Sequence, residues 1–159
     1  PVHKALPLRK VYKQDLLWGL PALLIPIVIY TMTMCRTLYV GDSGEFSAQG
    51  TVLGIAHPPG YPMWVLLLKC AVSLFQPWIS PIFEHQAARG AFLCAIVAGL
   101  ATFFLYILLL KLSHYRTVAL LGSLMFAFCY HFWSQALFSE VFILNVLFTV
   151  VTMLLMLLW

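Results

Sequence analysis

Charge is what this sequence has least of. Of 159 residues only 9% are Asp, Glu, Lys or Arg, against about 25% in an average soluble domain, while 63% are hydrophobic and 15% aromatic. Such a chain has too few charges to cover a water-facing surface, and the composition is that of an integral membrane protein. The net charge of +4 comes from basic residues that are few and scattered, which excludes a phosphate-tracking stripe and hence nucleic acid as a partner. The four cysteines, Cys35, Cys70, Cys94 and Cys129, form no C-x-x-C pair and lie in or beside apolar runs, so neither a zinc knuckle nor a disulfide framework is indicated. Established spacings of metal ligands are missing too. Asp42, Glu45 and His57 could gather round a divalent ion, but the sequence by itself assigns no metal and no other cofactor.

What the chain has instead is a series of long uncharged runs. Leu16 to Cys35 carries no charge over twenty residues, enough to cross about 30 Å of hydrocarbon at about 1.5 Å per residue. Met34-Cys35-Arg36 does not read as the exit of a cleaved signal peptide, so this run is an anchor, kinked at Pro21 and Pro26. Further runs put spans near 90–110, 117–139 and 141–159. Phe46 to Leu68 is also uncharged, yet Pro58, Pro59 and Pro62 with Gly50, Gly54 and Gly60 rule out one continuous helix. The pattern predicts a short helix after Asp42, a stiff turn at His57-Pro58-Pro59-Gly60, and a helix from about Tyr61 to Gln76. In that helix Tyr61, Trp64, Val65, Leu68, Val72 and Phe75 share one side and Lys69, Ser73 and Gln76 the other, as in a helix lying in the interface. The fold class is therefore an all-α polytopic membrane protein, with about four transmembrane helices and one or two interfacial helices in the loop 36–89.

Orientation follows from the basic residues. With the helix at 61–76 lying flat, residues 1–15 and the turn Lys111–Arg116 share a side and hold six of the nine Lys and Arg residues, which makes that side cytoplasmic. Asp42, Glu45, His57, Glu84, Arg89 and Glu140 then meet on the lumenal or outer face. The chain starts on Pro rather than Met and no basic flank follows Trp159, so more polypeptide is expected beyond its ends.

Carboxylates are the first suspects for chemistry, since a charge at the membrane costs about 2.5–3.5 kcal/mol on insertion scales. Asp42 and Glu45 stand three residues apart between apolar regions. The same spacing is a helix capping box, with Asp42 as the cap and Glu45 reaching back. His57-Pro-Pro-Gly is equally a stiff turn, Arg89 and Lys69 can snorkel to headgroups, Glu140 can be an interfacial helix-end residue, and Trp133 can anchor in the aromatic belt.

Asp42-Ser-Gly-Glu-Phe46, His57-Pro-Pro-Gly-Tyr-Pro62, Trp133-Ser-Gln-Ala136 and Ser139-Glu-Val-Phe-Ile-Leu-Asn145 occur in that order. Together they resemble the polytopic GT-C glycosyltransferases, and more closely the protein O-mannosyltransferases of glycosyltransferase family 117, which modify IPT domains of plexins and related receptors. The resemblance runs from about Leu16 to Trp159. It implies a partial GT-C-like fold whose first non-cytoplasmic loop carries the catalytic acid, an endoplasmic reticulum location, a dolichyl-phosphate-linked mannose donor entering from the bilayer, and lumenal acceptor proteins such as IPT-domain receptors. Family members have many more spans, so this short chain is expected to be inactive alone.

Transfer from a lipid phosphate to a Ser or Thr hydroxyl needs a base, while the phosphate leaves as a stable anion. One carboxylate suffices, unlike the pair of glycoside hydrolysis. Asp42 is the chosen base, with Glu45 orienting it or sharing the proton. His57, Arg89 and Lys69 are the available partners for phosphate, and Glu140 is a candidate for sugar or acceptor binding with Trp133 and Gln135. Two other classes stay open: a transporter, although no internal repeat is visible, and a non-catalytic assembly subunit.

Overall fold

The computed structural model describes residues 8–159. Among them the chain is entirely helical: α1 Lys13–Thr33, α2 Ser43–Val52, α3 Pro62–Leu74, α4 Gln86–Ser113, α5 Arg116–Ala127, α6 Tyr130–Ala136 and α7 Phe142–Leu158, with a 3-10 turn at Pro81–Phe83.

α4 is the post around which the others stand. It has 28 residues, about 42 Å at the usual rise, and its buried faces are built from small side chains: Ala88, Ala91, Ala95, Ala98 and Ala101 are all fully covered. Without bulk in the way, α1, α5 and α7 pack closely along it, the usual means of association between helices in lipid. The helix ends where His114 takes a left-handed backbone, φ 65°, and returns its N–H to the Leu110 carbonyl.

α1 and α4 are each long and apolar enough to cross a membrane, and α5 with α6 counts as a third such segment if taken as one bent span. Pro21 and Pro26 lie inside an uninterrupted α1. The third run, predicted as one span over 117–139, is broken: α5 and α6 are bent by 65° at Phe128–Cys129. At the break Tyr30 of α1 donates its hydroxyl to the Ala127 carbonyl at 2.5 Å, and Phe128 and Phe132 pack edge-on against its ring with centroids 6.1 and 6.5 Å away. α3 buries Trp64, Val65, Leu68, Ala71 and Val72; of the apolar stripe read from the sequence, Tyr61 and Phe75 fall on the helix caps and are only partly buried. Its 13 residues rise only about 20 Å, short of the hydrocarbon core.

The two ends of the bundle differ in chemistry. At one, Asp15 is fully buried and its Oδ1 accepts from Arg9 at 2.7 Å and from Arg116 at 2.6 Å, while Lys111 donates to the Arg9 carbonyl. The described part of the basic N-terminal segment and the 111–116 turn thus share this end; Lys4 lies outside the described residues. At the other, the Cys35 amide donates to the Leu137 carbonyl at 2.8 Å, and α2, α3 and the α6–α7 connection close over the bundle.

Candidate active site

The site forms where α2 and the 57–61 loop meet the α6–α7 connection. α2 lies against the core through Ser43, Phe46, Ser47 and Gly50, a spacing of three, four and seven that leaves Asp42 and Glu45 on the neighbouring edge. Gly41, at φ 97°, turns the chain into the helix. Ser43 holds that turn from inside, its Oγ accepting from the Tyr39 amide and donating to the Tyr39 carbonyl.

The capping-box alternative for Asp42 and Glu45 does not form. Asp42 is the N-cap residue but makes no side-chain cap bond, and Glu45 turns outward to the loop. Its Oε1 accepts the His57 backbone N–H at 2.6 Å, and its Oε2 lies 2.8 Å from His57 Nδ1. The other ring nitrogen, Nε2, faces Asp42 Oδ2 at 3.7 Å. Phe46 and Tyr61 flank the imidazole with centroids 5.9 and 5.3 Å away. Tyr61 itself holds a left-handed backbone, φ 44°, a conformation that costs a non-glycine residue about 1–3 kcal/mol and tends to persist at functional loops.

Glu140 arrives from almost a hundred residues away. α4 provides its seat: a Cβ on Gly90 would stand 2.7 Å from Ser139 Oγ, so only glycine lets that segment approach, and one turn on Cys94 Sγ exchanges weak hydrogen bonds with the Glu140 carbonyl and amide. Tyr39 stacks on Phe138 at 4.6 Å, tying the Asp42 turn to the same connection. Glu140 is 5% exposed, and its Oε2 has no hydrogen-bond partner among the described residues. The amides of Asp42 and Val141 face its carboxylate, and Asp42 and His57 are its charged neighbours.

The electrostatics follow from these contacts. The hydrogen bonds from the His57 ring and then its amide hold Glu45 below the usual carboxylate range, and the Glu45 bond in turn raises His57. Burial first, and the Asp42 charge second, push Glu140 up. A short Glu45–His57 contact thus sits beside a carboxyl group whose proton affinity burial raises. One ligand atom each from Asp42, Glu45 and His57 all lie within 4.8 Å of one another, the trio that the sequence left as a possible gathering, brought together because the loop returns His57 to Glu45.

The family described as Protein O-mannosyl-transferase TMEM260 N-terminal domain matches residues 42–159, the stretch that carries every member of this cluster. The chain belongs to this family. It is 35% identical over 120 residues to the protein O-mannosyl-transferase TMEM260 of Mus musculus, covering 76% of this chain and 16% of that protein. It is 29% identical over 126 residues to the protein O-mannosyl-transferase tmem260 of Dictyostelium discoideum, covering 79% and 15%. The chain therefore spans about one sixth of the length of these relatives. No solved structure matches it.

The remaining candidates stand apart from the cluster. Arg89 is 8% exposed and gives Nε and Nη1 to the carbonyls of Phe83 and Val72, bracing α4 against α3; it also lines an open cleft of about 700 Å³ with Thr37, Gly44, Ser47 and Glu84. Lys69 donates to the Thr51 carbonyl at 2.7 Å. Trp133 packs edge-on against Phe128 at 5.6 Å. Gln135 lines an apolar cleft of about 350 Å³ with Phe126, Phe132, Phe142 and Val146. Gly41, Gly90 and Cys94 are the positioning residues that sequence reasoning passed over; only the lone glycine opening α4 hinted at a close approach.

Proposed function

We propose that this domain forms the donor-side part of a multi-pass protein O-mannosyltransferase, with a partial GT-C-like fold of about four spans, in the endoplasmic reticulum membrane. The enzyme transfers mannose from a dolichyl-phosphate donor to Ser or Thr hydroxyls of lumenal acceptor domains such as IPT-domain receptors, and the 159 residues alone are inactive. The observation that carries this reading is the convergence of Asp42, Glu45, His57 and Glu140 at one end of the bundle, within the stretch matched by a family named for O-mannosyl transfer.

Asp42 takes the acceptor hydroxyl proton, the freed oxygen bonds to the anomeric carbon, and the bond from that carbon to the phosphate oxygen breaks, its electron pair leaving with dolichyl phosphate. Glu45 holds His57 beside the departing phosphate, and Glu140 binds sugar or acceptor hydroxyls. The apolar cleft beside Gln135, with Phe126, Phe132 and Phe142, suits the lipid part of the donor. Arg89 stands at the acceptor-side cleft.

The test is transfer of labelled mannose by the intact protein in nanodiscs to a folded acceptor domain. Asp42→Asn is expected to lower the rate by about 10² or more, the usual contribution of a positioned base, with unchanged elution and helicity. Undiminished transfer by that variant removes Asp42 from the role.

A further inference from the structure

Arg89 is a buried charge without a counter-charge. It is 8% exposed, and no carboxylate among the described residues pairs with it, although buried charges are as a rule paired. Its bonds from Nε and Nη1 to the carbonyls of Phe83 and Val72 satisfy two nitrogens and neutralise nothing. Among the described residues Nη2 makes no hydrogen bond, and protein does not wall it in. It therefore opens onto the cleft of about 700 Å³ that Arg89 lines.

Helix α4 adds to the same field. Arg89 stands in its opening turn, at the positive end of the helix dipole, where no acidic residue is present and the N-cap, His85, makes no side-chain bond. The backbone N–H groups of Gln86 and Ala87, residues that line the same cleft, have no partner among the described residues. Free amides at a helix start beside an unpaired guanidinium suit an anion.

The opposite wall of the cleft is open. Gly44 of α2 lines it, and a Cβ there would meet only Leu38 Cδ2 among the described residues, at an ordinary 3.9 Å. At Gly50 and Gly90, by contrast, a Cβ would strike Leu68 and Ser139 at 2.6 and 2.7 Å. Packing within the domain thus gives Gly44 no reason to be glycine, which costs a helix about 0.5–1 kcal/mol relative to alanine. The missing side chain leaves room for another backbone to pass, two residues from Asp42.

We propose that an acidic segment of the protein acceptor lies in this cleft, with a carboxylate on Arg89 Nη2 and on the N–H groups of Gln86 and Ala87. Glu84 favours a carboxylate over a phosphate, because its own charge shares the cleft and repels a dianion more than a single charge. Arg89 then sets specificity, selecting hydroxyls that have an Asp or Glu nearby in the acceptor. The anion site stands on the geometry of the domain; the naming of its occupant as acceptor rests on the transfer reading above.

The probe is a labelled peptide with one threonine and one glutamate a few residues from it, set against its glutamine twin, on the intact protein in nanodiscs without donor. The glutamate peptide is expected to bind about tenfold more tightly, the usual worth of a charge-assisted pair. Ala48→Glu puts a rival carboxylate on the cleft wall and is expected to abolish the difference; Ala48 is exposed, so the bracing by Arg89 is untouched. Gly44→Leu fills the passage and is expected to weaken both peptides. Arg36→Gln, at an exposed basic residue outside the lining, leaves the preference intact. Equal binding of the two peptides by the unaltered protein, a preference that survives Ala48→Glu or is lost in Arg36→Gln, or binding undiminished by Gly44→Leu overturns the site. Inorganic phosphate that displaces the glutamate peptide where equal acetate does not makes it a phosphate site and overturns the carboxylate assignment. Mannosyl transfer without any glutamate preference refutes the cleft alone, whereas the preference without transfer refutes the reading above and leaves the cleft.

Discussion

Glu45 grips His57 twice, through the backbone N–H at 2.6 Å and the ring Nδ1 at 2.8 Å. The two lie twelve positions apart in sequence, so the pair closes the 46–56 segment into a loop and sets the imidazole beside Asp42. Whatever holds that ring holds the geometry of the site.

A pH signature follows for the Glu45–His57 pair. His57 is raised, chiefly by the Glu45 bond, so its contribution to stability is complete below its unfolded value of about 6.5 and fades as pH rises through the higher folded one. Glu45 is lowered, so its share is complete above about 4.3 and fades as pH falls through the lower folded value. The loop is therefore tightest between those limits. Imidazole nuclear magnetic resonance should place the His57 midpoint above 6.5, and Glu45→Gln should bring it down; a midpoint unmoved by that change refutes the pairing.

Gly90 makes a second prediction. An alanine there places its Cβ 2.7 Å from Ser139 Oγ and 2.9 Å from Ser139 Cβ, too close to accommodate without moving the segment that carries Glu140. Gly90→Ala is expected to destabilise by about 1–3 kcal/mol, the usual range for overpacking, and to slow transfer. Ser139→Gly in the same chain removes both clashing atoms and should recover most of the loss. Thermal unfolding of the single and double variants decides it, and a double variant no better than Gly90→Ala counts against steric contact as the cause.

The helical class and the apolar stripe of α3 could be read directly, because hydrophobic length and periodicity survive in one dimension. The convergence of Asp42 with Glu140 was accessible through charge counting between spans. Two features were not. The break between α5 and α6 falls in Phe126-Ala-Phe-Cys-Tyr130, which holds neither Pro nor Gly; the partner that meets it there, the Tyr30 hydroxyl on the Ala127 carbonyl, comes from 97 residues away in sequence. Glu45 satisfies a capping spacing, yet the His57 amide and ring outcompete the cap, a choice that requires knowing where the loop returns. Local rules describe what a residue can bond, and the fold decides which partner arrives.

Tyr30 therefore carries a third prediction. Tyr30→Phe keeps the ring packing against Phe128 and Phe132 but removes the donor to the Ala127 carbonyl. A single neutral hydrogen bond is worth about 0.5–1.5 kcal/mol. The expected result is a modest fall in unfolding temperature together with a smaller α5–α6 bend, read as a longer distance change between spin labels on exposed positions Met125 and Tyr130 than between labels within α4. An unchanged bend assigns the break to the aromatic packing alone.

Asp15 gives the last test, at the opposite end from the cluster. It is fully buried, and one oxygen, Oδ1, receives both Arg9 and Arg116, while Oδ2 accepts the Tyr12 amide at 2.9 Å. The carboxylate thus ties the segment before α1 to the start of α5, and the Tyr106 hydroxyl adds α4 by donating to the Asp15 carbonyl at 3.0 Å. Asp15→Asn keeps the shape but leaves two guanidinium groups facing a neutral amide, the arrangement in which removing one partner of a buried pair is costly. Unfolding temperature should drop by roughly 2–4 °C for each kcal/mol lost. Arg116→Lys should be intermediate, since an ammonium replaces one of the two donors without the planar guanidinium. An unfolding temperature unmoved by Asp15→Asn counts against the buried pair as a tie between the segment before α1 and α5.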